Sequence, residues 1–262
     1  MATTAPIGFD TARLRDRVRE TYDHVARDPR GEFHFHRGAA FAAERLGYDA
    51  DELAALPAAS TDAFAGVGNP IAVGPIHAGE TVLDHACGAG MDLLLAARRV
   101  GPRGRAIGVD MTPGMRARAR QGAREAGLEG RVSILDGLYE ELPVADAGVD
   151  VVISNGVVNL APDKGRVLRE IARVLRPGGR LHLADVIVAR ELTLPVRSNA
   201  ELWAACVGGA LTEAELHALA RDAGLVGCRT VAWFDCFAGT SAAEKVSKDL
   251  RVRGMSFVAA KP

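Results

Sequence analysis

Hydrophobic residues recur along the chain with two different spacings, and the two spacings alternate. Short apolar runs rich in β-branched residues, typical of buried strands, occupy residues 81–83, 106–109, 132–135, 149–154, 180–188, 226–234 and 252–260. Amphipathic helical spacing occupies residues 11–26, 91–100, 115–126, 164–175 and 214–223, and shorter helices are predicted at 41–46 and 50–56. Strands that alternate with helices predict an α/β fold built on a parallel sheet.

Helix start and stop signals support these boundaries. Thr112 can cap a helix whose first position is Pro113. Thr212 and Glu215 have the spacing of a capping box and predict a helix start. The Pro-Gly-Gly sequence at residues 177–179 ends the preceding helix before the fifth strand.

The segment from residue 82 to residue 90, Val-Leu-Asp-His-Ala-Cys-Gly-Ala-Gly, predicts a buried strand that enters a glycine turn and then a helix. Gly88 and Gly90 let the backbone turn tightly and let a ligand approach the main chain. Asp110 ends the next apolar run about twenty residues later, where an acid binds ribose hydroxyls in this class of fold. Asp84 ends a buried strand, where a carboxylate needs a ligand ammonium or backbone N–H groups as partners. The alternative is a βαβ crossover that binds nothing.

Several segments resemble one family of enzymes. Residues 83–90 look like the first motif of class I S-adenosylmethionine (SAM)-dependent methyltransferases. Residues 108–112, 154–160 with 162–164, and 202–203 with 206–211 are similar, in the same order, to segments of arsenite methyltransferases, so the resemblance covers nearly the whole chain. It implies a Rossmann-like class I methyltransferase fold: a seven-stranded, mostly parallel sheet with helices on both faces and an N-terminal helical cap. It also implies SAM as the methyl donor and S-adenosyl-L-homocysteine as the product.

The length of 262 residues suits one α/β domain, alone or with a cap. We expect residues 1–75 to form a helical cap and lid over the cofactor cleft, residues 76–190 the SAM-binding core, and residues 191–262 the C-terminal part of the sheet with substrate-side elements. A net charge of −1 does not indicate a nucleic-acid partner, and the arginines of residues 116–124 are interpreted as a solvated helix face. No secretion signal or membrane-spanning run is predicted, so we expect a cytoplasmic protein. The oligomeric state stays open.

The resemblance also implies which residues contact SAM. A glycine-containing segment like residues 64–70 approaches SAM in the family, although it can equally be a linker. Leu138 stands where many relatives carry an acid that receives the adenine amino group, so backbone groups are expected to replace that contact. Asn155 follows the fourth strand near the methyl region of SAM, and its alternative role is to cap the following turn. The candidate cofactor-binding residues are Tyr22, Gly68, Asn69, Asp84, Ala86, Gly88, Gly90, Asp110, Met111, Leu138, Tyr139 and Asn155.

Residues 32–38, Glu-Phe-His-Phe-His-Arg-Gly, would place His34 and His36 on one face if the backbone is extended. The pair can bind a metal or line the substrate mouth, but two histidines are too few for a closed metal site, and no nearby Cys, Asp or Glu completes a recognisable ligand spacing. We therefore expect a lid whose aromatic residues pack down, and no metal centre. Asn159 and Trp203, in segments that resemble the family, join these histidines as candidate substrate contacts.

The chain has four cysteines, Cys87, Cys206, Cys228 and Cys236. They show no metal-site spacing and no disulfide framework, so we expect reduced thiols. Cys206 matches one cysteine of the arsenite methyltransferases, whereas Leu93 and Leu250 stand at two other family cysteine positions. Trivalent arsenic calls for two or three thiolates, and Cys236 could fold back beside Cys206 to supply the second. Cys206, Cys236 and Asn155 are therefore the candidate catalytic residues.

These observations leave three functions open. The first is a SAM-dependent methyltransferase of arsenite methyltransferase type, with a small-molecule acceptor. The second is a methyltransferase that lost the thiol site and modifies a small organic molecule at oxygen, nitrogen or carbon. The third is a SAM-binding regulatory or scaffold protein without turnover. A methyl sulfonium is already activated, so alignment of the acceptor and exclusion of water suffice, and no catalytic triad is expected.

Overall fold

The computed structural model of the protein describes residues 4–240 and 250–262. The strands are β1 (Thr81–His85), β2 (Arg105–Asp110), β3 (Val132–Asp136), β4 (Val149–Asn155), β5 (Leu175–Ile187), β6 (Val226–Phe234) and β7 (Arg253–Ala260). The helices are α1 (Thr11–Arg27), α2 (Gly38–Leu46), α3 (Ala50–Ala54), α4 (Ala58–Thr61), α5 (Met91–Val100), α6 (Pro113–Glu125), α7 (Lys164–Val174), α8 (Leu194–Arg197), α9 (Ala200–Ala204) and α10 (Glu213–Asp222), with short 3-10 turns at Pro70–Ala72 and Val158–Leu160. Within these residues, no helix combines the length and the apolar character needed to cross a bilayer.

The seven strands form one sheet in the order β3-β2-β1-β4-β5-β7-β6. Strands β1 to β5 pair in parallel, and β7 runs antiparallel between β5 and β6. This order confirms the predicted seven-stranded, mostly parallel sheet. Because β1 lies between β2 and β4, the strand order reverses at β1, and the carboxyl ends of these strands border a crevice.

Most predicted element boundaries agree closely with the structure. Strand β6 spans the predicted residues 226–234, and Thr212 and Glu215 form the capping box that the sequence predicts. Strand β5 differs, because it begins at Leu175 and not at residue 180. Leu175 already pairs with Val149, ahead of a register shift in the ladder between β4 and β5. The Pro-Gly-Gly sequence therefore forms an irregularity within the strand and does not precede it.

The sheet separates two buried apolar layers. Val82 and Leu83 are adjacent in β1 and fully buried, but they point to opposite faces. Val82 joins the layer that contains α5 and the N-terminal helices, and Leu83 joins the layer that contains α7 and α10. Helices thus cover both faces, as predicted. Burial on both sides explains why β1 has a continuous apolar run and no alternation of apolar with polar residues.

The loop of residues 64–68 crosses the carboxyl edge of the sheet in close contact with three strands. A Cβ added to Gly68 would lie 2.9 Å from Cβ of Ala184 in β5 and 3.1 Å from the ring of Phe234 in β6. A Cβ added to Gly254 in β7 would lie 1.9 Å from the carbonyl oxygen of Val67. The division of the chain into three parts stays a prediction, and β6 and β7 complete the same sheet as β1 to β5.

We expect Gly254→Ala to lower the free energy of unfolding by about 1–3 kcal/mol, because the added methyl group meets a backbone oxygen that cannot rotate away. Gly130→Ala is the matched control, since a Cβ there meets no atom within 4 Å. The control should change stability by less than about 0.5 kcal/mol. Urea unfolding of both variants checks the expectation, and equal stability of the two variants would contradict it.

Candidate active site

A cavity opens at the carboxyl ends of β1, β2 and β4. Open α/β sheets bind ligands at this point, where the strand order reverses. Helix α1 contributes Val18 and Tyr22 to the wall, and residues 64–66 form another part of it. Nine predicted cofactor-binding residues line the cavity: Tyr22, Asp84, Ala86, Gly88, Gly90, Asp110, Met111, Tyr139 and Asn155.

The turn after β1 has a left-handed backbone at three positions. The φ angles are +62° at Ala86, +52° at Gly88 and +88° at Gly90. Glycine adopts this conformation without strain, whereas for Ala86 it costs about 1–2 kcal/mol. A Cβ added to Gly90 would also lie 3.1 Å from Cβ of Ala119, so glycine allows α6 to pack closely on the turn.

Asp110 ends β2 with both carboxylate oxygens bonded to backbone N–H groups. Oδ2 accepts from Gly88 N at 2.9 Å, and Oδ1 accepts from Thr112 N at 2.7 Å. These bonds fix the carboxylate beside the cavity, and each oxygen keeps a lone pair for a ligand hydroxyl. Burial raises the pKa of Asp110, while the donors Thr112 and Gly88 oppose that rise. Thr112 precedes α6 as predicted, but its side chain makes no capping hydrogen bond.

Asp84 and Asp92 bring two further carboxylates to the same cavity. Asp84 is 3% exposed, and its Oδ2 has no hydrogen-bond partner among the described residues. Burial, and then the nearby Asp92 and Asp110, raise the pKa of Asp84 well above its usual value. Burial also raises the pKa of Asp92 to about 6, against the hydrogen bonds donated by Tyr48 and Asn155. Buried carboxylates with unused acceptor capacity favour a cationic ligand.

Asn155 holds the loop that crosses the sheet edge. Its Oδ1 accepts from Val67 N at 2.8 Å and from Gly68 N at 3.3 Å, and its Nδ2 donates to Gly68 O and to Asp92 Oδ2, both at 3.0 Å. The Tyr48 hydroxyl donates to Asp92 Oδ1 at 2.6 Å. The side-chain amide is therefore engaged by the protein itself. Asn155 positions the cavity wall and does not cap the following turn.

Gly68 and Asn69 are not among the described residues of the cavity wall, and their role as SAM contacts stays a prediction. Gly68 packs against β5 and β6 and bonds to the amide of Asn155. Asn69 Nδ2 donates to Gly47 O at 3.1 Å, and its Oδ1 accepts from Ala72 N at 3.1 Å, capping a 3-10 turn. The loop reaches the cavity through residues 64–66.

Leu138 is also absent from the described wall, whereas its neighbours Gly137 and Tyr139 line it. The carbonyl oxygen of Leu138 accepts from Glu141 N at 3.1 Å and closes a turn. The carbonyl oxygen of Tyr139 lies 3.1 Å from Nε2 of His85. Burial lowers the pKa of His85 to about 4, so its ring is neutral and fixes this loop by hydrogen bonding alone.

His34 and His36 line a separate outer groove of about 1400 Å³ and do not belong to the described wall of the first cavity. Nε2 of His36 lies 2.7 Å from Ala238 O, and His34 packs edge-on against Phe35 at 4.7 Å. Phe35 stacks on Tyr22 with 6.0 Å between the ring centroids. The aromatic side chains thus pack down as expected of a lid.

In residues 4–240 and 250–262, no three His, Cys, Asp or Glu side chains are arranged to hold a metal ion.

Asn159 and Trp203, predicted to contact substrate, are likewise outside the described cavity wall. Nδ2 of Asn159 donates to Asp185 Oδ1 at 2.6 Å, and its backbone N–H donates to Oδ2 at 3.1 Å. Trp203 is 1% exposed, and its Nε1 donates to Arg197 O at 2.7 Å. Its ring lies 5.0 Å from that of Phe9. Both side chains are packed in the core behind the site.

Cys206 and Cys236 are buried, unpaired thiols that belong to the same apolar core cluster. Burial, and then the neighbouring Cys206, raise the pKa of Cys236, and burial raises the pKa of Cys206 to about 12. Cys206 has a left-handed backbone with φ +61°, which is uncommon for a residue with a side chain. Neither thiol is among the described residues that line the cavity. Tyr22 adjoins both regions, because it lines the cavity and packs against the apolar cluster that contains both thiols.

The residues around the cavity fit SAM. The ligand carries an α-ammonium, a sulfonium and ribose hydroxyls, and the cavity presents three carboxylates in a region without a lysine or arginine among the described lining residues. The unpartnered Oδ2 of Asp84 has the charge and acceptor capacity for the ammonium. Asp110 stands at the ribose position of this fold class. The sequence patterns did not single out Asp92 as a residue of the site. One feature of the sequence could have indicated it, because Asp92 is an acid in the first turn of the helix that follows the glycines.

The family of methyltransferase domains matches residues 76–224. The arsenite methyltransferase of Halobacterium salinarum is 47% identical over 185 residues, which cover 71% of this chain and 47% of that protein. The arsenite methyltransferase of Homo sapiens is 37% identical over 160 residues, which cover 57% of this chain and 42% of that protein. The chain therefore spans about half the length of the curated relatives it matches.

A solved structure agrees with the sequence relatives. The arsenic(III) S-adenosylmethionine methyltransferase of Chlamydomonas reinhardtii aligns with a TM-score of 0.64 and 35% identity, covering 75% of this chain and 67% of that one. Three findings lead to the same conclusion: the shared fold, relatives of this identity, and a cavity whose donors and charges suit SAM. The chain belongs to the class I SAM-dependent methyltransferases and resembles the arsenite methyltransferases.

Proposed function

We propose that the protein transfers the methyl group of SAM to trivalent arsenic held by Cys206 and Cys236. Bound SAM supplies a methyl group that its positively charged sulfur already activates. The observation that carries the proposal is that Cys206 and Cys236 lie in one apolar cluster, against which Tyr22 of the donor cavity wall packs. The relatives named arsenite methyltransferases support the same acceptor. A cytoplasmic location belongs to the proposal, supported by four unpaired cysteines.

The cavity residues would hold the donor by charge and by hydrogen bonding. Asp84 would receive the α-ammonium on its unpartnered oxygen, and Asp110 would accept from the ribose hydroxyls. Asn155 would keep the loop wall closed over the methyl region and limit the access of water. Exclusion of water strengthens the charge interactions and protects the reacting group.

The thiols would hold the acceptor as soft sulfur ligands. Trivalent arsenic is bound by thiolates: an As–S bond to Cys206 and to Cys236 would replace two As–O bonds, and each thiol proton would leave with an arsenic hydroxyl as water. Because burial raises both thiol pKa values, the free site is protonated at neutral pH. Neither thiol lines the donor cavity, so Tyr22, which lines the cavity and packs against the cluster of both thiols, would have to shift before the acceptor meets the methyl group. Alignment of the two reactants is then the main contribution of the protein to the rate.

We expect Asp84→Asn to weaken SAM binding by about 1.5–3 kcal/mol, roughly tenfold or more, because it removes the charge that would face the ammonium. Asp150→Asn is the matched control. Asp150 is also buried, but it lies at the opposite end of the sheet, where its carboxylate pairs with Arg176 and accepts from Thr81 N. Calorimetry with SAM should show a loss only for Asp84→Asn. Unchanged affinity in that variant would remove Asp84 from the binding site.

The same titration should show proton release in the parent protein. Burial and neighbouring carboxylates raise the pKa of Asp84 in the free protein, whereas a bound ammonium favours the ionised carboxylate. SAM affinity therefore rises with pH until the pH exceeds the raised pKa of Asp84, and it falls as the pH drops below it. Calorimetry in two buffers of different ionisation enthalpy measures the released proton. The release should be smaller in Asp84→Asn.

The acceptor site has its own test in Cys206→Ser and Cys236→Ser. Each variant leaves one thiolate, which holds the soft ion too weakly to orient it, so arsenite methylation should fall by at least about a hundredfold. SAM affinity should stay within about twofold, because neither thiol lines the donor cavity. Cys228→Ser, at a half-buried cysteine in β6, should methylate arsenite as the parent does. Turnover of methyl-labelled SAM with arsenite and a reducing thiol measures all three variants.

Two outcomes would overturn this assignment in different ways. Parent-level methylation by both serine variants would show that the two-thiolate site is wrong. A parent protein that binds SAM but never methylates arsenite would favour the organic acceptor, and a panel of small metabolites would then replace arsenite in the assay. Binding of SAM without turnover on any acceptor would favour the regulatory or scaffold function.

A further inference from the structure

Lys164 is a fully buried lysine that methyl transfer does not use directly. It begins α7, and its side chain is 0% exposed. Its Nζ donates to Ala161 O at 2.9 Å and lies 4.2 Å from the centroid of the Trp203 ring. An ammonium over an indole face is attracted by the ring, and the attraction is larger where water is excluded. Burial of an ammonium is otherwise unfavourable, so its retention calls for a role.

Charged groups face Lys164 from four packed elements. Asp185 of β5, Glu215 of α10 and Asp163, the N-cap of α7, favour its protonated form, and Arg197 of α8 opposes it. Burial has the largest effect and lowers the pKa of Lys164 to about 7. The contact between ammonium and indole therefore depends on pH near neutrality. It is present when Lys164 is protonated and weakens as the pH rises through 7.

Trp203 connects this lysine to the thiol pair. Its carbonyl oxygen accepts from Cys206 N at 2.8 Å. The indole is also enclosed by the chain that follows Cys206, since a Cβ added to Gly208 would lie 2.5 Å from Trp203 Cδ1 and one added to Gly209 would lie 2.7 Å from Cε3. The ring therefore has little room to move without displacing the segment that carries Cys206. That segment holds Cys206 in its left-handed conformation.

We infer that Lys164 is a positioning residue for the acceptor site: its ammonium braces the indole of Trp203, and Trp203 in turn holds the Cys206 thiol beside Cys236. The inference rests on the proposed two-thiolate function. Lys164 is not among the described residues that line the donor cavity, and its contact with the segment that carries Cys206 is made through the Trp203 ring. Loss of its charge should therefore affect the binding of trivalent arsenic and leave the binding of SAM unchanged.

The test uses phenylarsine oxide, a trivalent arsenical that binds tightly only where two thiols are close together, and the full chain. Lys164→Met keeps most of the side-chain volume and removes the charge. It should bind phenylarsine oxide at least about tenfold more weakly than the parent, with SAM affinity within about twofold. Lys261→Met is the matched control, because Lys261 also donates to a backbone carbonyl, that of Leu175 at 2.7 Å, but far from the thiols. It should bind both ligands as the parent does.

A purely structural role for Lys164 predicts a different result. Lys164→Met removes the ammonium that Asp185 and Glu215 face, so a lower Tm at pH 6 is expected of either role, and SAM affinity distinguishes the two roles. A lower Tm together with a loss of SAM affinity would mean that Lys164 supports the fold in general, and the positioning role would be wrong. Unchanged affinity for phenylarsine oxide would also overturn it.

The pH dependence provides a readout of the charge itself. The ratio of phenylarsine oxide affinities, parent over Lys164→Met, should fall as the pH rises from 6 to 8, because only the parent loses the ammonium. The thiols titrate in both proteins, so their contribution cancels in the ratio. A ratio that stays constant over this range would contradict the inference.

A second pair of variants tests the same contact from the side of the ring. Trp203→Phe keeps an aromatic face for the ammonium, whereas Trp203→Leu does not, and both remove the hydrogen bond to Arg197 O. Trp203→Phe should bind phenylarsine oxide several-fold more tightly than Trp203→Leu, and equal affinities would overturn the inference. If the parent itself does not bind phenylarsine oxide, the two-thiolate site fails, and the role of Lys164 fails with it. If the parent and Lys164→Met bind alike, only the positioning role fails.

Discussion

The burial of carboxylates at the carboxyl ends of β1 and β2 is the constraint on which the rest of the site depends. Asp84 and Asp110 end adjacent strands, and Asp92 joins them from the first turn of α5. Such charges are tolerated only with donors or a cationic ligand. Backbone N–H groups engage Asp110, and Tyr48 with Asn155 engages Asp92, but one oxygen of Asp84 finds no hydrogen-bond partner in the described part of the chain. The glycine turn and the loop over the sheet edge are arranged to supply these donors and to leave room for the ligand.

The two reactants of the proposed chemistry belong to separate, differently built regions. The donor cavity is bordered by carboxylates, whereas Cys206 and Cys236 lie in an apolar core from which solvent is excluded. Apolar surroundings keep the thiols protonated and poorly reactive until a soft ion replaces their protons. Tyr22 belongs to the wall of one region and packs against the apolar cluster of the other. This separation limits unproductive reaction of the donor with water.

The sequence by itself determined those features of the protein that local rules govern. The seven strands, the capping box at Thr212 and the glycine turn with Gly88 and Gly90 follow from side-chain period and backbone conformation, which involve residues close together along the chain. Asp110 could be predicted for the same reason, because the length of one strand-helix-strand unit brings the end of β2 beside the turn. Resemblance to a family then supplied SAM as the ligand of this turn.

Only the tertiary structure decided how distant segments meet. The spacing of Gly68 could not show that it packs against β5 and β6, and the alternation around His34 could not show that it lines a separate groove. The neighbourhood of Cys206 and Cys236, and the indole over the Lys164 ammonium, join segments from different layers. Such contacts depend on the rotation and translation of whole helices against the sheet. Those are set by the sum of many packing interactions in the core, and no local pattern records them.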